Sequence, residues 1–187
     1  MDIREAVTRE ELERVEALYQ AAFPENEKKP FSLMLEGRKK GQFEILHIEE
    51  EGRFCGLAIM MLYGNMALLD YFAIDPDRRN SGLGGRALRM LQERFAGKKF
   101  LLEIESTEGL EDRGELPEGI SREEAEKRLR RKAFYRRLDM EAMDFRVLLF
   151  GVEMELLVYR DRVGFEEYHG MLEHILPPGY GDRVVLV

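Results

Sequence analysis

Apolar positions recur along this chain in two rhythms, one helical and one extended, and their order predicts a mixed sheet flanked by helices. Thr8-Arg9-Glu10-Glu11 has the spacing of a capping box, and Leu12, Val15, Leu18, Tyr19 and Ala22 follow at helical period. Pro24 ends that helix. A shorter one begins near Pro30, turns Phe31, Met34 and Leu35 inward and stops at Gly41. Three apolar stretches, 43–49, 54–63 and 67–74, then read as strands. Gly52 and Gly64-Asn65 supply the turns between them, which favours consecutive antiparallel pairing.

The third of these strands runs into Asp75-Pro76-Asp77-Arg78-Arg79-Asn80-Ser81-Gly82-Leu83-Gly84-Gly85, followed by a helix with Ala87, Leu88, Leu91 and Phe95 on one face. Residues 99–105 form another strand, so this strand–helix–strand unit predicts a right-handed crossover between parallel neighbours. Residues 106–120 are polar and glycine-containing and read as an exposed insertion. Ser121-Arg122-Glu123-Glu124 has a second capping-box spacing and opens a basic helix that runs to about Leu138. Strands at 143–150 and 152–160 meet at Gly151; a helix at 164–175 and an apolar run from Val184 to Val187 follow. There is no internal repeat or low-complexity linker, and 187 residues suit one well-buried core better than two. A single α/β domain over residues 1–187 is expected.

Composition narrows the function. Hydrophobic residues make up 44% and charged residues 35%, and the net charge is −8, from 37 acidic against 29 basic residues. An acidic chain is poorly suited to tracking a phosphate backbone, so no nucleic-acid partner is expected. In the helix from Arg122 to Arg137 the basic residues interleave with Glu123, Glu124 and Glu126, the pattern of a solvated face with local ion pairs. Cys55, the one cysteine, lies in Phe54-Cys55-Gly56-Leu57-Ala58 and reads as a buried small hydrophobe. His47, His169 and His174 lack the spacing of a ligand set, so no metal is expected. No apolar run approaches the ~20 residues that cross a bilayer, and the start lacks a signal-peptide pattern. A cytoplasmic protein without a membrane partner is the expectation.

The strongest chemical signal is Arg79 to Gly85, which leaves a strand, passes three glycines and enters a helix. The first turn of a helix has unpaired N–H groups and the positive end of its dipole, which suit phosphate oxygens. Glycine lets such a backbone approach a ligand closely. Arg78, Arg79, Arg86 and Arg89 reverse the chain's negative charge locally, which suits a polyanionic ligand such as a pyrophosphate. A rival reading exists. Gly82-Leu83-Gly84-Gly85-Arg86-Ala87 also fits the dinucleotide fingerprint G-x-G-x-x-A, with Glu103 about 20 residues on as a ribose-binding acid. Against it, the seven residues 75–81 separate the strand from Gly82, and the segment lies mid-chain after an antiparallel hairpin. A Walker loop is excluded because no Gly-Lys-Ser/Thr follows.

Leu69-Asp70-Tyr71-Phe72-Ala73-Ile74-Asp75-Pro76, then Arg79-x-x-Gly82-x-Gly84, closely resembles the coenzyme A signature of the GNAT superfamily of N-acyltransferases. Leu102-Glu103-Ile104 and Ala133-Phe134-Tyr135-Arg136-Arg137-Leu138 resemble that superfamily's next strand and following helix, and the order of elements agrees over most of the chain. Two features depart from its pattern: the insertion at 106–120, and Asp139-Met140 where the family usually has Gly-Phe. The resemblance implies acetyl-CoA as co-substrate, with the backbone of Asn80, Ser81, Gly82, Leu83, Gly84 and Gly85 on its pyrophosphate beside Arg79. It also implies that the strand Phe72, Ala73 and Ile74 pairs with the amide-bearing pantetheine arm. The expected activity is transfer of an acetyl group to a primary amine, with a non-catalytic acyl-CoA-binding regulator on the same fold as the alternative.

Such a reaction has two proton problems. An alkylammonium with a pKa of about 10.4 is deprotonated at pH 7 only at a penalty of roughly 4.6 kcal/mol, which a base relieves in part. The departing thiolate, with a thiol pKa near 8.5, takes a proton from an acid. Tyr135 matches the family's helix tyrosine and is the candidate acid. Asp70 is a candidate base, a carboxylate in an apolar strand with little packing reason to be there. Glu103 and Glu105, on one face of the next strand, compete with it. Acidic strands favour a small cationic amine, and a homodimer is left open.

Overall fold

A computed structural model describes residues 1–110 and 116–187, which fall into two compact units, Met1–Phe100 and Leu101–Val187. In the first unit β1 (Asp2–Glu5), β2 (Phe43–Glu50), β3 (Arg53–Tyr63) and β4 (Met66–Ile74) pair in sequence order, each antiparallel to the next. α1 (Arg9–Ala22) starts as the sequence indicates. Thr8 Oγ1 accepts from Glu11 N–H, and the Glu11 carboxylate accepts from Thr8 N–H, so two orphan amides are satisfied reciprocally. α2 (Phe31–Lys39) buries Phe31 and Met34, and α3 (Leu83–Arg94) buries Leu83, Ala87, Leu88 and Leu91. α1 and α2 pack on this sheet, and α3 touches β1 and β4. β1 escapes a reading by periodicity because only Ile3 of its four residues is buried.

In the second unit β5 (Lys99–Glu105), which begins at the end of the first, pairs antiparallel with β7 (Val152–Tyr159). β7 pairs with β6 (Met140–Leu149), and β6 with β8 (Val184–Leu186). Two helices belong here, α4 (Arg122–Arg136) and α5 (Phe165–Ile175). The second capping box forms only in half. Ser121 Oγ accepts from Glu124 N–H at 3.1 Å, but the Glu124 carboxylate turns to Arg128 at 3.2 Å, because a guanidinium one turn on is a stronger partner than an amide.

The stretch expected as an exposed insertion needs correction at its start. Ser106, Thr107 and Leu110 are buried, because polar groups of β7 and α4 satisfy the polar atoms of this segment. Residues 111–115 of the expected insertion lie outside the described residues, and 117–119 are exposed. The Asp139 departure is better accommodated than its chemistry suggests. Its φ is 59°, so the position retains the left-handed geometry that glycine adopts freely and aspartate tolerates. Its carboxylate also pairs with Arg160.

Candidate functional site

The glycine loop begins where β4 ends. Asp75 accepts from Asp77 N–H at 3.0 Å, closing a short 3-10 turn over Pro76–Arg78. Ser81 Oγ donates to the Arg78 carbonyl at 2.5 Å. The chain then takes positive φ twice, 61° at Asn80 and 78° at Gly82, and enters α3 with Gly82 as its N-cap. Turns that pass through left-handed residues are where successive backbone amides form anion nests. Among the described residues, no amide from Asn80 to Gly85 is bonded to another protein group, and the first helical bond is Arg86 N–H to the Gly82 carbonyl at 3.2 Å. The donors are therefore left for a ligand. A groove of about 350 Å³ runs beside them, lined by Glu50, Glu51, Asp77, Arg78, Arg79, Ser81, Leu83 and Arg86.

The arginines expected to meet an anion divide in role. Arg86 Nη2 lies 2.7 Å from Glu50, so much of its charge is internally balanced. Its hydrogen bond, with help from the N-terminal ammonium, holds the Glu50 carboxyl below its usual range. Arg79 folds back, and its Nε donates to the Ile74 carbonyl at 3.0 Å. Glu50 carried no signal in the sequence, since 36 residues separate it from Arg86.

The strand before the loop sorts its backbone by alternation. Asp75 N–H donates to the Cys55 carbonyl at 2.9 Å. Counting back along this antiparallel ladder turns the groups of Ala73 toward β3 and those of Phe72 and Ile74 away from it. Ala73 therefore turns its backbone groups into the sheet. Arg79 takes the Ile74 carbonyl. Gly56 permits the close approach of β3 to this strand: a Cβ there would lie 2.7 Å from the Ala73 carbonyl oxygen. Cys55 is fully buried as expected, and burial pushes its thiol up.

Asp70 occupies a special position. The β3–β4 register runs Ile59↔Tyr71 and then Met60↔Leu69, leaving Asp70 as the extra residue of a bulge. Simple alternation, which would place Asp70 and Phe72 on one face and Tyr71 on the other, fails here. One lysine reaches both: Lys29 Nζ is 2.7 Å from Asp70 Oδ1 and 5.1 Å from the centre of the Tyr71 ring. The Asp70 side chain is 4% exposed, and its Oδ2 is buried without a hydrogen-bond partner. Nothing in the sequence ties Lys29 to Asp70, 41 residues away.

In the second unit the other candidates are held differently. Glu103 accepts from the Tyr168 hydroxyl. Glu105 lies between Arg128 at 2.7 Å and Arg131 at 3.2 Å, so two guanidinium groups occupy it. Tyr135, on the last turn of α4, is half-buried beside Phe134, with ring centres 5.1 Å apart. Burial raises its phenol above the ordinary value, against a small opposing effect from Arg131, and no described residue bonds its hydroxyl. Glu155 was missed from the sequence. It accepts from Thr107 N–H at 2.6 Å and Thr107 Oγ1 at 2.7 Å, and pairs with Lys132 at 2.6 Å. Burial pushes its carboxyl up, but the Lys132 and Thr107 hydrogen bonds outweigh that and leave it below the usual range. The signal was available: Glu155 sits in the apolar run Met154-Glu155-Leu156-Leu157, as Asp70 sits in its own.

Unbonded amides at a helix start form an anion site, and the sequence comparisons name the family that carries this one. The chain matches the Acetyltransferase (GNAT) family over residues 12–111, more than half its length, and it belongs to that family. No curated protein sequence matches it. Among solved structures, a GNAT-family acetyltransferase from Bacteroides thetaiotaomicron is 20% identical with a TM-score of 0.71, covering 97% of this chain and 99% of its own. The ribosomal-protein-S18-alanine N-acetyltransferase from Escherichia coli is 15% identical with a TM-score of 0.60, over 88% and 96% of the two chains. An aminoglycoside 6'-N-acetyltransferase complexed with coenzyme A is 16% identical with a TM-score of 0.61, over 88% and 100%. The fold is thus the mixed α/β fold of GNAT acetyltransferases, and acetyl-CoA is the co-substrate. The dinucleotide reading of the glycine loop is set aside with it. Among the described residues no helix is long and apolar enough to cross a membrane.

Proposed function

We propose that this acetyltransferase moves the acetyl group of acetyl-CoA onto a primary amine that carries positive charge. The observation that carries the reading is the unbonded run of amides from Asn80 to Gly85, a polyanion site in a chain of net charge −8. The pyrophosphate takes those amides, and the pantetheine arm takes the outward groups of Phe72 and Ile74 as an added strand would. Two structural neighbours, named as acetylating a ribosomal-protein alanine and an aminoglycoside, both act on amines.

In the step itself the free amine attacks the thioester carbon. A C–N bond forms as the C–S bond breaks. Counted from the ammonium, two protons leave the nitrogen: one passes to a base before attack, and the one lost as the amide forms balances the proton that ends on sulfur. Tyr135 is assigned as the acid that protonates the thiolate, with its hydroxyl unbonded to any described residue. Asp70 and Glu103 are the acids assigned to the amine; Glu105 is dropped because Arg128 and Arg131 hold it.

Thermal unfolding with acetyl-CoA and, separately, NAD(P) tests the cofactor side. Acetyl-CoA at 100 times its dissociation constant is expected to add about 2.7 kcal/mol of stability, and NAD(P) none. Tyr135→Phe is expected to lower kcat by about 10²-fold or more while acetyl-CoA binding is retained. Acetyl-CoA binding without transfer to any of a broad amine panel would instead identify a binding protein.

A further inference from the structure

The main chain of Lys29 is fixed on both sides. Its N–H donates to the Tyr71 hydroxyl oxygen at 3.0 Å, and its carbonyl accepts from the Tyr19 hydroxyl at 2.9 Å. Tyr71 donates in turn to the Glu27 carbonyl at 2.8 Å, and the Tyr19 and Tyr71 rings meet edge to face at 4.8 Å. Rotation is left to the four-carbon stem, which ends in a carboxylate and an aromatic face, the two groups that recognise an ammonium. Asp70 itself is over nine-tenths buried, and its second oxygen has no hydrogen-bond partner. A buried acceptor left unmade needs an explanation, and a ligand is one.

Resting on the reading that a cationic amine is the acceptor, we propose that Lys29 is an internal occupant of the acceptor-ammonium site. An unbranched primary alkylammonium displaces it from Asp70, lies against Tyr71, and adds contact to the unfilled oxygen. The exchange keeps the buried carboxylate compensated throughout, since one ammonium leaves as another arrives, and an unpaired buried charge is what burial penalises most. The tether gives Lys29 a high local concentration, so free amines compete against it. Lys29 thereby sets a threshold: an acceptor is turned over only when its remaining contacts exceed those of the tethered side chain. A guanidinium, planar and wider, does not reproduce an ammonium's contacts there, which makes the site selective for primary amines.

The test is steady-state acetylation of 1,5-diaminopentane by the wild type, Lys29→Ala and Asp70→Asn, with acetyl-CoA affinity measured on each by calorimetry. Lys29→Ala is expected to lower KM for the diamine about tenfold, since the binding-competent fraction rises. The diamine is also expected to raise the melting temperature of Lys29→Ala more than that of the wild type. Asp70→Asn is expected to raise KM by about tenfold or more, the loss of a charge-assisted contact. If Lys29→Ala does not fold, Lys29→Gln serves, with a KM shift in the same direction. An unchanged or higher KM in the folded Lys29 variant, with acetyl-CoA binding intact, overturns the proposal and leaves the acetyltransferase reading standing. Loss of acetyl-CoA binding in the wild type overturns the underlying reading instead.

Discussion

Two polar segments, one following β4 and one at the end of β5, treat their hydrogen-bonding groups in opposite ways. From Asn80 to Gly85 the amides are bonded to no described protein group, and the chain holds two left-handed residues to keep them so. From Glu105 to Thr107 nearly every polar group has a partner: Arg128 and Arg131 on Glu105, Glu153 on Ser106, Glu155 and Lys132 on Thr107. Unsatisfied donors cost stability and serve a ligand, whereas closed networks hold a fold. Both are polar; the partners of their groups separate them.

The largest effect expected to sharpen this contrast comes from the closed network. Glu155→Ala leaves the mostly buried Lys132 ammonium without its carboxylate, and the expected loss is about 3–5 kcal/mol, read as a fall in melting temperature. The open loop should respond in the other currency. Gly82→Val places a β-branched residue at φ 78°, where the left-handed region costs about 1–2 kcal/mol. No atom lies within 4 Å of the added Cβ, so the loop is free to relax out of shape. Acetyl-CoA affinity is then expected to fall roughly tenfold, by calorimetry, with little change in melting temperature. A large stability loss in Gly82→Val would break the comparison.

A smaller effect follows from pH. Glu155 is held below its ordinary value of 4.5 in the folded protein, so the unfolded chain binds its proton first as pH falls. Its contribution is fully present above about pH 4.5 and is lost as pH drops through the lower folded value. Glu155→Gln is expected to be less stable at neutral pH and to show a shallower acid dependence between pH 5 and 3, measured by urea unfolding. An identical slope in the two proteins would remove Glu155 from the network's electrostatics.

Local chemistry made much of the fold legible. Thr8 and Glu11, Pro24, Gly41 and the apolar runs of β2, β3 and β4 act through neighbours a few residues away, and the structure places them where those rules direct. The glycine loop was legible for the same reason, since a helix start needs no distant partner to present its amides. Side-chain roles were less so. Asp70 and Glu155 carry the same signal, an acid in an apolar run, yet one lies in a strand bulge with an unfilled oxygen and the other in a closed network. The bulge also interrupts the alternation of faces at Asp70, because one extra residue breaks a period of two.

What the sequence by itself determined is therefore the order and type of most elements, the glycine loop and the family. Each depends on spacing along the chain, and spacing is what a sequence records. Only the tertiary structure decided which charges meet: Lys29 with Asp70, Arg86 with Glu50, Lys132 with Glu155. Those pairs join residues 23 to 41 positions apart, and Coulomb attraction over a few ångströms depends on where the chain folds them, with no trace in local pattern.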